Sequence, residues 1–180
     1  MASLVICCSL TKGSKTNVLA REVESAFAAG GRVATLLELS DYNLPQCDGR
    51  VCYEHPEVQA ITQLVADADC IIFCCPVYVY DLSAAAKNVV ELTGRGSAWF
   101  KKSVGFVCMA GTLASFMSVM PFANSLMFDY KCVIVPKFVY VTATAFEGAE
   151  LTSPDIKQRI THLTADVQRL GAVSQTLSDW

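Results

Sequence analysis

Leu4-Val5-Ile6-Cys7-Cys8-Ser9-Leu10-Thr11-Lys12-Gly13-Ser14-Lys15-Thr16-Asn17 is the stretch on which the reading of the fold turns. Its apolar first part reads as a strand buried on both faces. A loop of hydroxyls, one glycine and two lysines follows, and a helical pattern begins with Leu19, Val23, Ala26 and Phe27 on one face. Backbone N–H groups at a helix start have no partner within the helix, and the dipole there favours an anion. The loop therefore suits a phosphate, which would receive amide donors, hydroxyl donors and partial positive charge together. An ordinary Ser/Thr-capped helix after a strand would look the same in isolation. The rest of the chain has to decide between them.

The pattern repeats along the 180 residues. Further strands read as Val33 to Leu39, Cys70 to Cys75, Ser103 to Met109, and Cys132 continuing past Pro136 to Thr142. Gly30-Gly31 ends the first helix. A second helix starts near Pro56 with Val58, Ile61, Leu64 and Val65 inward, a third spans Ser83 to Leu92, and a fourth begins about Ala114. The last opens at Ser153-Pro154-Asp155 and keeps an apolar stripe through Ile156, Ile160, Leu163, Val167 and Leu170. Ser103 to Phe128 carries no charge, but Gly105, Gly111, Pro121 and Asn124 break it into strand, turn and helix rather than a membrane span. Five strands alternating with helices predict one domain over 1–180, a doubly wound α/β fold. Its five-stranded parallel sheet has order 2-1-3-4-5 in three layers.

Composition narrows the function classes. Hydrophobic residues make up 53% and charged residues 17%, as a sheet covered on both faces requires. A net charge of −3 with no basic face argues against nucleic acid as partner. Seven of the nine cysteines, at 7, 8, 70, 74, 75, 108 and 132, fall in or beside apolar runs and read as reduced core residues of a cytoplasmic protein. Cys47 and Cys52 lie in a loop with His55 nearby, where a disulfide or metal role stays open without a recognised ligand spacing. No metal site is assigned. His55 and His162 read as surface residues, and no Ser-His-Asp or paired-carboxylate arrangement supplies an acid–base catalyst.

In a doubly wound sheet, ligands bind at the carboxyl ends of the strands where the order reverses, here between the first and third strands. The loop after the third strand is Pro76-Val77-Tyr78-Val79-Tyr80-Asp81. An aromatic wall beside a phosphate loop is the shape a planar nucleotide cofactor needs. These residues resemble the NADPH-dependent FMN reductase family, which includes quinone, chromate and azo-dye reductases, and the resemblance implies that the doubly wound domain is flavodoxin-like. The family's first loop has the form Gly-Ser-x-Arg-x-x-Ser-x-Asn followed by Leu-Ala. This chain has Cys8-Ser9-Leu10-Thr11-Lys12-Gly13-Ser14-Lys15-Thr16, then Leu19-Ala20. The second family motif, Pro-Glu-Tyr-Asn-Gly with a later Leu-Lys-Asn, is matched by Pro76-Val77-Tyr78-Val79-Tyr80 and by Lys87-Asn88. Asp41-Tyr42-Asn43-Leu44-Pro45 and Ala68-Asp69 are also similar to the family.

The resemblance implies that Ser9, Thr11, Ser14, Lys15 and Thr16 hold the FMN phosphate, with Asn17 assisting. It implies that Pro76, Val77, Tyr78, Val79 and Tyr80 line the isoalloxazine ring, and that Ala110, Gly111 and Thr112 approach it from the other side. Thr11 stands where the family carries arginine, so a bidentate phosphate contact is missing, and Lys12 or Lys15 would supply charge without the fork. Val77 and Val79 replace a carboxylate and an amide, which leaves the rim less polar. The implied activity is transfer of a hydride from NAD(P)H to bound FMN and onward to a small-molecule acceptor such as a quinone or flavin, by a homodimer or homotetramer. A flavodoxin-type electron carrier, or an α/β domain that has lost flavin and binds a partner, are the competing readings. Lys87 and Asn88 read as a solvated helix face or a subunit contact.

Overall fold

The computed structural model describes residues 1–177. In chain order its elements are β1 (Ser3–Cys7), α1 (Lys15–Ala29), β2 (Ala34–Glu38), α2 (Pro56–Asp67), β3 (Cys70–Tyr78), β4 (Asp81–Leu82) and α3 (Ala84–Thr93). Then come β5 (Ser103–Ala110), α4 (Met120–Tyr130), β6 (Val133–Ile134), β7 (Val139–Thr142), β8 (Phe146–Glu147), β9 (Glu150–Leu151) and α5 (Pro154–Ser174). The sheet runs β2-β1-β3-β5, and both β6 and β7 pair with β5 in parallel. Counting β6 and β7 as one interrupted outer strand, this is the expected 2-1-3-4-5 order of a flavodoxin-like fold.

The outer strand breaks for a local reason. Ser103 lies opposite Val133 and Val107 opposite Val139, so the outer strand fits two more residues than β5 across the gap. Pro136 has no N–H to give to a ladder, and Lys137 sits at φ 63. The expectation of one strand from Cys132 to Thr142 is corrected on this point. The fourth helix also starts later than Ala114. A 3-10 stretch, Leu113–Val119, precedes α4, with Ser115 outside helical geometry.

Strand alternation sorts the apolar runs into two cores. Leu4, Ile6, Ile71, Phe73, Val104 and Phe106 face the layer of α2, α3 and α4. Phe73 stacks between Trp99 at 5.6 Å and Phe106 at 5.7 Å, with Phe122 edge-on at 5.3 Å. Burying each such ring is worth about 1.5–3 kcal/mol. The Trp99 indole N–H is satisfied by Thr93 Oγ1 at 2.9 Å. Val5, Cys7, Ile72, Cys74 and Val107 face α1 and α5. Gly105 lets α5 seat closely, because a Cβ there would stand 2.9 Å from a Leu163 methyl. These two layers hold the carboxyl ends of β1, β3 and β5 side by side.

Candidate functional site

The loop after β1 is built by its own hydroxyls. Ser14 caps α1, accepting from Asn17 N at 3.3 Å, while Asn17 Oδ1 accepts from Ser14 N at 3.0 Å, a reciprocal capping box. Ser9 Oγ lies 2.9 Å from Ser14 Oγ and accepts from Thr11 N at 3.3 Å. Gly13, at φ 70, makes the turn. Lys15 and Thr16 occupy the first two helical positions, where the amides lack intrahelical partners. Ser9, Thr16 and Asn17 are buried, Ser14 and Lys15 half-buried, and Thr11 exposed.

Charge around this loop is unevenly committed. Lys12 pairs with Asp41 at 2.9 Å, and the hydrogen bond to Asp41 holds its ammonium above the ordinary lysine range. Asn17 Nδ2 donates to Glu38 Oε2 at 2.9 Å, and Glu38 also takes Arg21 at 2.6 Å. Asn17 therefore orders the loop and bridges it to β2. The first turn of α1 carries no acidic side chain, and Lys15 places a cation at the positive end of the dipole. Its ammonium lies 5.1 Å from the centre of the Phe146 ring. A cation at a helix N-terminus is unfavourable by about 0.3–1 kcal/mol. A bound anion reverses that sign. The arrangement is one that an anion would relieve.

The loop after β3 is a hairpin, which the sequence reading missed. Tyr78 pairs with Asp81 and Val77 with Leu82, leaving Val79 and Tyr80 as a two-residue turn. Both have positive φ, 51° and 62°, the signature of a primed turn that usually takes Asn and Gly. A β-branched residue in that region is a strained choice. Val79 is 100% exposed, Tyr80 60% and Tyr78 58%, while Pro76 is buried and Val77 half-buried. The hairpin thus projects a strained apolar tip into solvent. Ser83, just beyond it, donates from Oγ to Cys8 O at 3.2 Å and from N to Pro76 O at 3.1 Å, locking the hairpin to the end of β1.

Across the sheet, Ala110 ends β5 buried, and Gly111 and Thr112 are exposed. Open space surrounds the Cβ position of Gly111, so a ligand can approach its backbone. Thr112 caps the following 3-10 stretch, and Ser115 Oγ meets Tyr140 Oη at 2.5 Å, fixing that segment against β7. The three expected groups of residues therefore stand at neighbouring strand ends around one open rim. A cleft of about 760 Å³ lies elsewhere, under Lys137, Arg159 and His162, and contains none of them. The strained tip, the hydroxyl-and-amide cradle and the open Gly111 backbone fit a flat ligand carrying a phosphate.

Sequence reasoning missed Glu38, Ser83, Tyr140 and Phe146. Glu38 could have been flagged, because it ends β2 directly beside Cys7 of β1. Asn88, expected on a solvated helix face or at a subunit contact, is half-buried and spends its amide within the chain. Its Nδ2 donates to Pro45 O and its Oδ1 accepts from Cys47 N, both at 2.9 Å, so it anchors the β2–α2 loop. Lys87 is exposed and pairs with Glu91 one turn on. His55 is half-buried with Nδ1 unpartnered, whereas His162 is exposed as expected. Burial drives the core thiols Cys7, Cys108 and Cys132 up to about 12, so they pack as inert apolar groups.

Comparison with known proteins agrees with this geometry. The chain is 28% identical over 162 residues to an NAD(P)H-dependent FAD/FMN reductase of Geobacillus thermodenitrificans, covering 86% of this chain and 85% of that one. It superposes on FerB, a flavoenzyme NAD(P)H:(acceptor) oxidoreductase from Paracoccus denitrificans, with TM-score 0.74 at 16% identity, covering 93% and 97% of the two chains. It superposes on a flavodoxin from the domain Archaea with TM-score 0.67 at 12% identity, covering 96% and 99%. FMN and NAD(P)H fit the chain as cofactor and reductant. Residues 1–147 match the NADPH-dependent FMN reductase family, and the chain belongs to it.

Proposed function

We propose that the protein is an FMN-dependent oxidoreductase that takes a hydride from NAD(P)H and passes electrons to a small acceptor, a quinone or a second flavin. The observation that carries this reading is the convergence of the α1 cradle, the β3–β4 hairpin and the Ala110–Thr112 backbone on one rim. When bound, FMN supplies the redox chemistry, and the chain supplies position and electrostatics. Ser9, Ser14 and the amides of Lys15 and Thr16 receive the phosphate, with Thr11 adding an exposed hydroxyl and Asn17 holding the loop in register. Lys15 provides the uncompensated positive charge. Pro76 to Tyr80 line one edge of the ring, and Ala110, Gly111 and Thr112 border the other. No side chain is assigned an acid–base role.

The apolar residues around the rim, among them Leu10, Tyr78, Val79, Leu113 and Phe116, are exposed. Exposed apolar side chains at a site favour burial against another chain. This supports a homodimer or homotetramer that covers the rim, checked by light scattering on the purified protein. The nine cysteines, all free thiols, fit a reducing cytoplasm.

Steady-state NAD(P)H oxidation with a panel of quinones and free flavins tests the reading. Parallel double-reciprocal lines, the mark of a ping-pong cycle, are the expected result. A protein that binds FMN yet turns over none of the acceptors is a carrier and overturns the enzymatic assignment. One that binds no flavin overturns the site.

A further inference from the structure

We propose that Cys47 and Cys52 form a peroxide-responsive thiol pair that closes reversibly to an intramolecular disulfide. The two sulfurs are 3.9 Å apart, with Cys52 donating toward Cys47. Asp48 holds the intervening turn, its Oδ1 accepting from Arg50 N at 2.8 Å and Cys52 N at 3.1 Å. Gly49 at φ 72 completes it. Cys47 is half-buried and Cys52 buried. Tyr53 Oη also lies 3.8 Å from Cys47 Sγ. The remaining seven thiols are all buried. Burial and the Asp48 carboxylate push the Cys52 thiol up, which leaves Cys47 as the sulfur a peroxide meets first.

The step balances with hydrogen peroxide as oxidant. Cys47 gives up its proton and the thiolate attacks one peroxide oxygen, the O–O bond breaks, and the leaving hydroxide takes up that proton, so a sulfenic acid and one water result. Cys52 then attacks the Cys47 sulfur, the S–O bond breaks, and a second water leaves as the disulfide forms. Two thiols lose two electrons and two protons, and the peroxide gains both. Closure brings the sulfurs from 3.9 Å to a bond of about 2 Å, and both lie in the β2–α2 loop, outside the sheet.

The test uses the whole protein. Reduced protein is exposed to hydrogen peroxide, alkylated, digested with trypsin and analysed without reduction. Trypsin cuts after Arg32, Arg50 and Lys87, so Cys47 is the only thiol in Val33–Arg50, and the next peptide, Val51–Lys87, carries Cys52 with Cys70, Cys74 and Cys75. The proposal expects these two peptides linked, an intact mass lower by about 2 Da, and reversal by dithiothreitol. Fragmentation must place the link at Cys52. Cys47→Ser abolishes the link, and Cys52→Ser leaves a Cys47 sulfenic acid that dimedone captures. Linkage to Cys70, Cys74 or Cys75, a covalent dimer, or over-oxidised Cys47 beside free Cys52 would each overturn the proposal.

Discussion

Replacing Lys15 by Gln separates the energetics of the fold from those of the ligand. Without ligand, the substitution removes a cation from the N-terminus of α1, a gain of about 0.3–1 kcal/mol. It also removes the ammonium from the Phe146 ring, a loss of about 0.5–1 kcal/mol. The two nearly cancel, so the melting temperature of the ligand-free protein stays within a few degrees. Two unit charges about 4 Å apart attract by about 1 kcal/mol in water and about 4 in a protein surface environment, the range open to Lys15 if the phosphate sits at the α1 N-terminus. Lys15 is half-buried, so about 1–2 kcal/mol applies, a 5- to 30-fold weakening. Fluorescence titration with FMN measures it, and riboflavin, which lacks the phosphate, serves as the control. The expected result is weaker FMN binding, unchanged riboflavin binding, and a shallower dependence of FMN affinity on salt. Equal loss for FMN and riboflavin, or no loss for either, would refute the placement of the phosphate at α1.

Other perturbations probe neighbouring parts of the account. Val79→Asn relieves the positive-φ strain at the hairpin tip, raising ligand-free stability by about 1 kcal/mol in urea unfolding. Asp48 is held down to about 2 by the backbone amides of Arg50 and Cys52, so an NMR titration should place its carboxyl well below an ordinary aspartate. Because its folded pKa lies below its unfolded one, its stabilising contribution is complete above about pH 4 and fades as pH falls through about 2. Gly105→Ala forces the Leu163 methyl aside and lowers stability by about 1 kcal/mol, read by thermal unfolding.

Much of the architecture was legible because burial on both faces leaves continuous apolar runs. The runs from Ser3, Val33, Cys70 and Ser103 fall within a residue or so of their strands, apart from the end of β3. The expected strand stops before Pro76, whereas β3 continues through Pro76, opposite Met109 of β5, to Tyr78 and turns back. The turn itself, Val79-Tyr80, lacks the Asn and Gly that announce a hairpin, so local composition gave no hint. The outer strand split because Pro136 and Lys137 interrupt pairing that the apolar pattern alone suggests is continuous. At the site, the loop from Ser9 to Asn17 was readable from its position at a helix start. Its partners were not, since Glu38, Asp41 and Phe146 reach it only through tertiary packing. Asn17, expected to assist the loop, spends its side chain on Ser14 and Glu38, a commitment that only the fold reveals.

The central claim is that this rim holds FMN where NAD(P)H can reduce it. Anaerobic mixing of FMN-loaded protein with NAD(P)H, followed through the visible flavin absorbance, tests it most directly. The account predicts that the band bleaches in a single turnover and returns when a quinone is added. A band that persists in excess NAD(P)H would contradict it.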